Sequence, residues 1–368
     1  MNMKPKIRPL WQRLLLMAGL SMLLVYKLLH LPRFILPRDF KSIVTNWDYK
    51  MFTMLLGSGF TKAYIDQPCT LRMPTEFKPK ADVPKPHQLS QQELKDFYAN
   101  GFTGPFDCFS PTEMAGFKKE MLAMEKTKSK TYGFVTPRDR HFETPRLWNF
   151  LKDPRITDRC AQILGPDLLC WRSQIFYKGP HAPAIQWHQA TTFIVEDYQD
   201  PAIFPPDRSE MFQITVWVAV DDAPLEKGCL RFACGANDTR AVDFGSDSEE
   251  GFYEASYTLD FREEDQPVRY VPVKSGQFLL FAERFVHGSG PNTTDQYRLA
   301  FNMRVIPTNI PVYPNKKYYR SVYNGGKYFL DQWGVAVLRG EDRYQLSRTI
   351  PPEALQAGEF KGVLRPAA

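Results

Sequence analysis

Residues 212–220 read FQITVWVAV. Phe212, Ile214, Val216, Val218 and Val220 alternate with Gln213, Thr215, Trp217 and Ala219, which gives a strand with two distinct faces. Working outward, the same texture recurs in LLCWRSQIFYK (168–178), CLRFACG (229–235), VRYVPVK (268–274), QFLLFAERFVH (277–287) and YRLAFNMRVIP (297–307). These β-branched or aromatic runs are separated by Gly, Pro, Asn and Asp. Many strands with no helices between them predict a mainly β domain, a sandwich or barrel of jelly-roll type. No internal repeat is visible.

Upstream of the strands the pattern is helical. LSQQELKDFYANGF offers Ser90 as N-cap with Glu93 three positions on, and FSPTEMAGFKKEMLAMEK repeats that logic with Ser110 and Pro111. Two helices are therefore expected before the β core. The Pro/Lys-rich FKPKADVPKPHQ (77–88) reads as a linker. Between Asp243 and Asp265 nine acidic residues accompany a single base, Arg262, which predicts a long exposed loop or a lid over a site.

The chain has 368 residues and a net charge of +6. Residues 1–38 carry seven basic side chains and no acid, so the remaining 40 basic and 41 acidic residues leave the body close to neutral. Nucleic acid is thereby an unexpected partner. Six cysteines without a CxxC read as free thiols in a reducing compartment. From Leu14 to Leu31 runs an 18-residue, largely apolar stretch interrupted by Lys27. It is expected to attach the protein to a membrane, by spanning it, by lying in its interface with Trp11 at headgroup level, or as an organellar targeting segment.

Six histidines are present: His30, His87, His141, His181, His188 and His287. A redox iron needs two imidazoles and a carboxylate on one face, with positions left open for substrates. His188 and His287 are the best pair, since each is read as ending a strand and entering a loop; lone histidines near strand ends are also commonly structural. The first lies in QWHQATTF (186–193), where Ala190 stands two positions after His188.

Taken together, WHQ (187–189), WVAVDDA (217–223), GCL (228–230), SGQFLLF (275–281) and HGSGPNTTDQYR (287–298) resemble the phytanoyl-CoA dioxygenase family, as does LSQQELKDFYANGF. The resemblance covers roughly residues 88–308 and is most specific in the spacing of eleven between His287 and Arg298, with Asn292 between. It implies a double-stranded β-helix with flanking helices, binding Fe(II) and 2-oxoglutarate and consuming O2. His188 and His287 would be the metal ligands, and Arg298 would hold the distal carboxylate of 2-oxoglutarate through a bidentate pair. Ser289, Trp217, Gln189 and Gln174 sit where the family lines the cosubstrate pocket. The implied organisation is a membrane-anchor segment at 1–38, an extension and linker at 39–87, the β-helix domain at 88–310, and a C-terminal extension at 311–368 packing on the core.

The family pattern has Asp or Glu where this chain has Ala190. A methyl group there leaves room for a halide, and the His-x-Ala arrangement is similar to that of the iron/2-oxoglutarate halogenases, with chloride as the further cofactor. A hydroxylase, its Asp-to-Ala inactive form, and a non-catalytic β-sandwich binding protein are the alternatives. The distance of Glu196 and Asp197 in sequence from His188 makes a facial site completed by either of them awkward. With a membrane segment at the N-terminus, a lipid-like substrate is expected.

Overall fold

The β-branched alternation folds as read, and the computed structural model describes residues 9–37, 40–41, 43–44, 49–60, 69–189, 202–238, 242–243, 258–259, 261, 263–314, 316–320 and 327–358. In chain order, α1 (Leu10–Leu28) and α2 (Tyr49–Gly57) precede α3 (Gln91–Asn100), β1 (Phe102–Asp107), α4 (Pro111–Met124), α5 (Pro145–Leu151) and α6 (Pro154–Leu164). Then come β2 (Leu168–Lys178), β3 (Ile185–His188), β4 (Ile214–Ala219), β5 (Leu230–Ala233), β6 (Val242–Asp243) and β7 (Thr258–Leu259). The last elements are β8 (Val268–Val271), β9 (Gln277–Ala282), β10 (His287–Ser289), β11 (Arg298–Pro307), β12 (Tyr318–Arg320), β13 (Lys327–Phe329), β14 (Ala336–Arg339) and α7 (Pro352–Ala357).

A six-stranded sheet of order β1-β9-β4-β11-β2-β14 lies against a four-stranded sheet of order β3-β10-β5-β8. Trp217, Leu279, Phe281 and Ala300 of the larger sheet pack on Leu230, Phe232 and Val271 of the smaller one, forming the inter-sheet core. The opposite face of the same strands, with Ile214, Val216, Val218, Leu280 and Phe301, packs on Phe97, Phe117, Met121 and Leu147 of the helices. The period-two alternation in FQITVWVAV thus divides one strand between two cores.

Both capping boxes form: Ser90 and Ser110 each accept from the backbone N–H of the glutamate three residues on, whose carboxylate accepts from the serine N–H. Between the two helices lies a strand that the sequence reading does not anticipate. β1 pairs antiparallel with β9 and makes the edge of the larger sheet, so this lead-in belongs to the β core. Segment 77–88 is likewise no loose tether. His87 Nδ1 sits 2.7 Å from Asp158 Oδ2, and the Leu89 N–H donates to Gln162 at 2.8 Å, both on α6. The Tyr-rich tail turns inward, with Tyr319, Tyr328, Leu330 and Trp333 buried in the helix-side core.

At the N-terminus, α1 ends at Leu28 and His30 adopts a positive φ of 52°, so the apolar run to Leu31 is not one helix. Among the described residues no helix is long and apolar enough to cross a membrane. The expected spanning anchor is not found there; Arg13 and Lys27, turned toward α2, limit the uninterrupted apolar length. Of the acidic stretch 243–265, most residues lie outside those described. All six cysteines are free.

Candidate metal and cosubstrate site

The sequence reading makes His287 the end of the run beginning at Gln277, and the structure corrects this. The chain leaves the larger sheet after Ala282, turns through Glu283–Phe285, and starts β10 in the smaller sheet at His287. Within that turn Arg284 pairs with Glu283 at 3.0 Å, both fully buried, and Arg284 Nη2 donates to the Arg208 carbonyl at 2.6 Å. Local charge pairing breaks the apolar run and delivers the histidine to the other sheet.

There β10 lies antiparallel to β3, with His287 directly opposite His188. Their ring centroids are 4.2 Å apart. Each Nδ1 donates to the backbone carbonyl two residues earlier, His188 to Gln186 at 2.8 Å and His287 to Phe285 at 2.9 Å. This fixes the tautomer and places the lone pair of each ring on Nε2, the arrangement of a metal-ligating imidazole. Burial pulls His188 down to about 4 and His287 well below its ordinary range, the latter also through its histidine neighbour. Both rings are therefore neutral at pH 7, the form that ligates a metal. Gly288 makes the approach of the strands possible, because a Cβ there would lie 2.6 Å from the Ile185 carbonyl oxygen of β3.

Among the described residues no group of three His, Cys, Asp or Glu could hold a metal, so no described carboxylate completes the pair. Ala190, the expected halide position, lies outside the described residues, as do Glu196 and Asp197. What the sequence fixes at position 190 is the chemistry: alanine has no ligating atom.

Behind the histidines is a cationic wall. Ser289 follows His287 by two positions and therefore shares its face of β10. Arg298 opens β11, buried, directly opposite Lys178 at the end of β2, and its guanidinium lies 5.3 Å from the Trp217 ring. Lys178 Nζ donates to Ser289 Oγ at 3.2 Å and to the Pro183 carbonyl at 2.9 Å. Burial, then the Arg298 and Arg231 guanidiniums, pull Lys178 down to about 7. An entering carboxylate would relieve both the like-charge repulsion and the cost of burial, so the donor set fits one end of a dicarboxylate. The spacing of eleven now has a physical basis. Asn292 Nδ2 donates to the Gly179 and Gln296 carbonyls at 2.7 Å each, and its Oδ1 accepts from Thr294 Oγ1 at 2.8 Å. The loop that leads from the metal-ligand strand to Arg298 is stapled by that one amide.

His188, His287, Ser289, Trp217 and Arg298 are thus brought to one region between the sheets. Gln174 stands half-buried on β2 opposite Asn302, sharing the face that carries Phe176 and Lys178. Gln189 is turned differently: its amide nitrogen donates to the Asp238 and Arg284 backbone carbonyls and braces the loop after β3. Two charged side chains near these residues escape sequence reasoning. Lys178 is one. Arg304 is the other, on the same face of β11 as Arg298, close enough that its charge lowers both histidines. Either would be visible only with the strand register in hand. The remaining histidines are elsewhere: His141, for example, is buried 2.6 Å from Ser173 Oγ.

The phytanoyl-CoA dioxygenase family model matches residues 97–300, more than half of the chain. The protein belongs to the phytanoyl-CoA dioxygenase family. A probable alpha-ketoglutarate-dependent hypophosphite dioxygenase of Stutzerimonas stutzeri is 22% identical over 220 residues, covering 55% of this chain and 73% of the relative. A phytanoyl-CoA dioxygenase domain-containing protein 1 homolog of Caenorhabditis briggsae is 32% identical over 100 residues, 25% of this chain and a third of that protein's length. Among solved structures, CytC3 with Fe(II) and alpha-ketoglutarate superimposes with a TM-score of 0.57 at 27% identity, covering 74% of this chain and 97% of CytC3. This member of the family is accordingly an oxidoreductase of the Fe(II)- and 2-oxoglutarate-dependent oxygenase class.

An Arg298→Ala variant of this family member is expected to lose 2-oxoglutarate affinity by at least about 30-fold, since truncating one partner of a buried charge pair costs about 2–5 kcal/mol. Isothermal titration of the cobalt-loaded protein with 2-oxoglutarate checks it; affinity within about threefold of the parent would remove Arg298 from the cosubstrate site.

Proposed function

We propose that the protein is an Fe(II)- and 2-oxoglutarate-dependent halogenase that chlorinates an unactivated aliphatic carbon of a lipid-like substrate. The observation that carries this reading is an alanine, Ala190, two positions after His188 in the sequence, in a chain that brings the rings of His188 and His287 to 4.2 Å between centroids and keeps Arg298 buried. A site that had merely decayed would have no reason to keep both imidazole tautomers, the glycine that lets their strands meet and the buried arginine.

His188 and His287 would hold Fe(II) through Nε2. Arg298, with Lys178 and Ser289, would take the distal carboxylate of 2-oxoglutarate, and Trp217 would form the apolar floor beneath the guanidinium. Ala190 contributes by what it lacks: two neutral imidazoles leave the metal's charge to be balanced by anions, and the methyl group leaves a position for chloride. Iron with 2-oxoglutarate and O2 supplies an oxidative decarboxylation strong enough to remove a hydrogen atom from an aliphatic C–H. The balance is substrate R–H, chloride, 2-oxoglutarate, O2 and a proton giving R–Cl, succinate, CO2 and water. The inter-sheet core around Phe232 and Phe281, the latter ring 4.6 Å from His287, excludes water from one side of that chemistry. The lipid-like substrate is proposed from the apolar N-terminal helix, which would bring the site to a membrane surface.

The test is anaerobic titration of the protein with Fe(II) and 2-oxoglutarate, with and without chloride. Turnover on a lipid extract follows, with succinate release and product mass as readouts. A chloride-sensitive charge-transfer band and a product carrying chlorine are expected. Chloride-independent spectra with a product carrying only oxygen would show a hydroxylase, and an absence of succinate release would show a binding protein.

A further inference from the structure

Helix α1 is built inside out. Its charged side chains turn toward the protein: Arg13 Nε donates to the Gly59 carbonyl at 2.7 Å and Lys27 Nζ to the Val44 carbonyl at 2.6 Å. On that same side Leu20 packs with Phe52 and Leu55 of α2. The side facing away carries Trp11, Leu14, Leu15, Met22, Val25 and Leu28, each more than half exposed. At 3.6 residues per turn these positions fall on one side, a stripe which at about 1.5 Å per residue runs the length of the 19-residue helix. Beyond it Phe34 and Ile35 continue the surface, 82% and 67% exposed. An apolar stripe of this extent on a soluble surface marks an interaction site.

Charge identifies what covers it. Residues 1–38 hold seven basic side chains and not one acid, whereas the rest of the chain is nearly neutral. Arg13 and Lys27 turn to the protein, yet the segment as a whole is basic, and a basic segment that carries an apolar stripe with a tryptophan at its end complements an anionic lipid surface; no described helix can cross a bilayer. We infer that the α1–α2 hairpin lies in the plane of an anionic membrane leaflet, with the Trp11–Leu28 stripe sunk into the boundary between headgroups and acyl chains. This deepens the lipid-like substrate of the proposed function and stands on observations separate from the histidine site.

The full-length protein should cosediment with phosphatidylcholine vesicles containing phosphatidylserine, more weakly with phosphatidylcholine alone, and less as salt rises. A Leu14→Ser/Leu15→Ser/Val25→Ser variant should lose at least about tenfold in partitioning, because three exposed aliphatic side chains no longer enter the bilayer. Its circular dichroism and its succinate release on a detergent-dispersed lipid extract should be unchanged. Loss of sedimentation with retained turnover therefore tests the membrane face, and loss of turnover with retained sedimentation tests the site. Failure of the parent protein to sediment, or equal sedimentation of the triple variant, would overturn the inference. So would a parent oligomer that the triple variant dissociates, which would make a second copy the occupant of the stripe.

Discussion

Replacing His287 with alanine is expected to abolish tight iron binding and all 2-oxoglutarate turnover. With no described carboxylate beside the pair, His287 is one of two imidazoles, their ring centroids 4.2 Å apart, that would hold the metal. Losing a side chain that only orients a metal ligand already costs about 10- to 100-fold in affinity, and removing a ligand from a two-histidine set should exceed that range. The ring also packs among aromatic neighbours, tilted against Phe281 at 4.6 Å between centroids and stacked with Phe232 at 6.1 Å. A His287→Gln variant, which keeps most of the volume, therefore accompanies the alanine. Both should lose the charge-transfer band on anaerobic addition of Fe(II) and 2-oxoglutarate while retaining the parent's circular dichroism. Iron affinity within about tenfold of the parent in a folded variant would mean that the metal is held elsewhere.

The second large effect is expected at Ala190. An Ala190→Asp substitution restores a carboxylate two residues after His188 and gives the metal an anionic protein ligand, which completes a two-histidine, one-carboxylate facial set. The carboxylate then occupies the position proposed for chloride. Chlorinated product should fall by at least about 100-fold, as expected when a metal's coordination is changed directly, and oxygenated product should appear in its place, both quantified by mass spectrometry. The iron–2-oxoglutarate spectrum of the variant should become insensitive to chloride. Persistence of chlorination in Ala190→Asp would show that the halide does not depend on the absent carboxylate.

The strands that could be read from sequence are those whose two faces meet two apolar cores. FQITVWVAV shows its alternation because Ile214, Val216 and Val218 face the helices while Trp217 and Ala219 face the smaller sheet. β3 and β10 are short, and β10 is HGS, a triplet with no β-branched residue, so propensity carries no signal for it. Its strand character comes from pairing on both sides, with β3 and with β5. The break between Ala282 and His287 was hidden for the same reason: the residues that turn the chain, Glu283 and Arg284, are charged but buried, and only the fold reveals that they pair.

In the site, His287 and Arg298 could be singled out from a spacing, because Asn292 fixes that spacing locally; His188 could be singled out from the WHQ motif. Lys178 could not, since it reaches Ser289 across a distance of 111 residues in the chain. Gln189 stood in the right place in the motif, yet its amide holds the Asp238 and Arg284 carbonyls. At the N-terminus the run of leucines was visible as apolar, but its direction was not. That α1 turns Arg13 and Lys27 inward with Leu20, and Leu14, Leu15 and Leu28 outward, is a property of the packing with α2.

A halide is proposed to occupy the coordination position that Ala190 leaves open. Anomalous diffraction from crystals of the anaerobic Fe(II)–2-oxoglutarate complex grown with bromide tests it most directly. The account predicts a bromide peak at bonding distance from an iron held by His188 and His287, and its loss in Ala190→Asp. An iron whose remaining positions are filled by water or by a carboxylate of this chain, with no bromide bound, would contradict it.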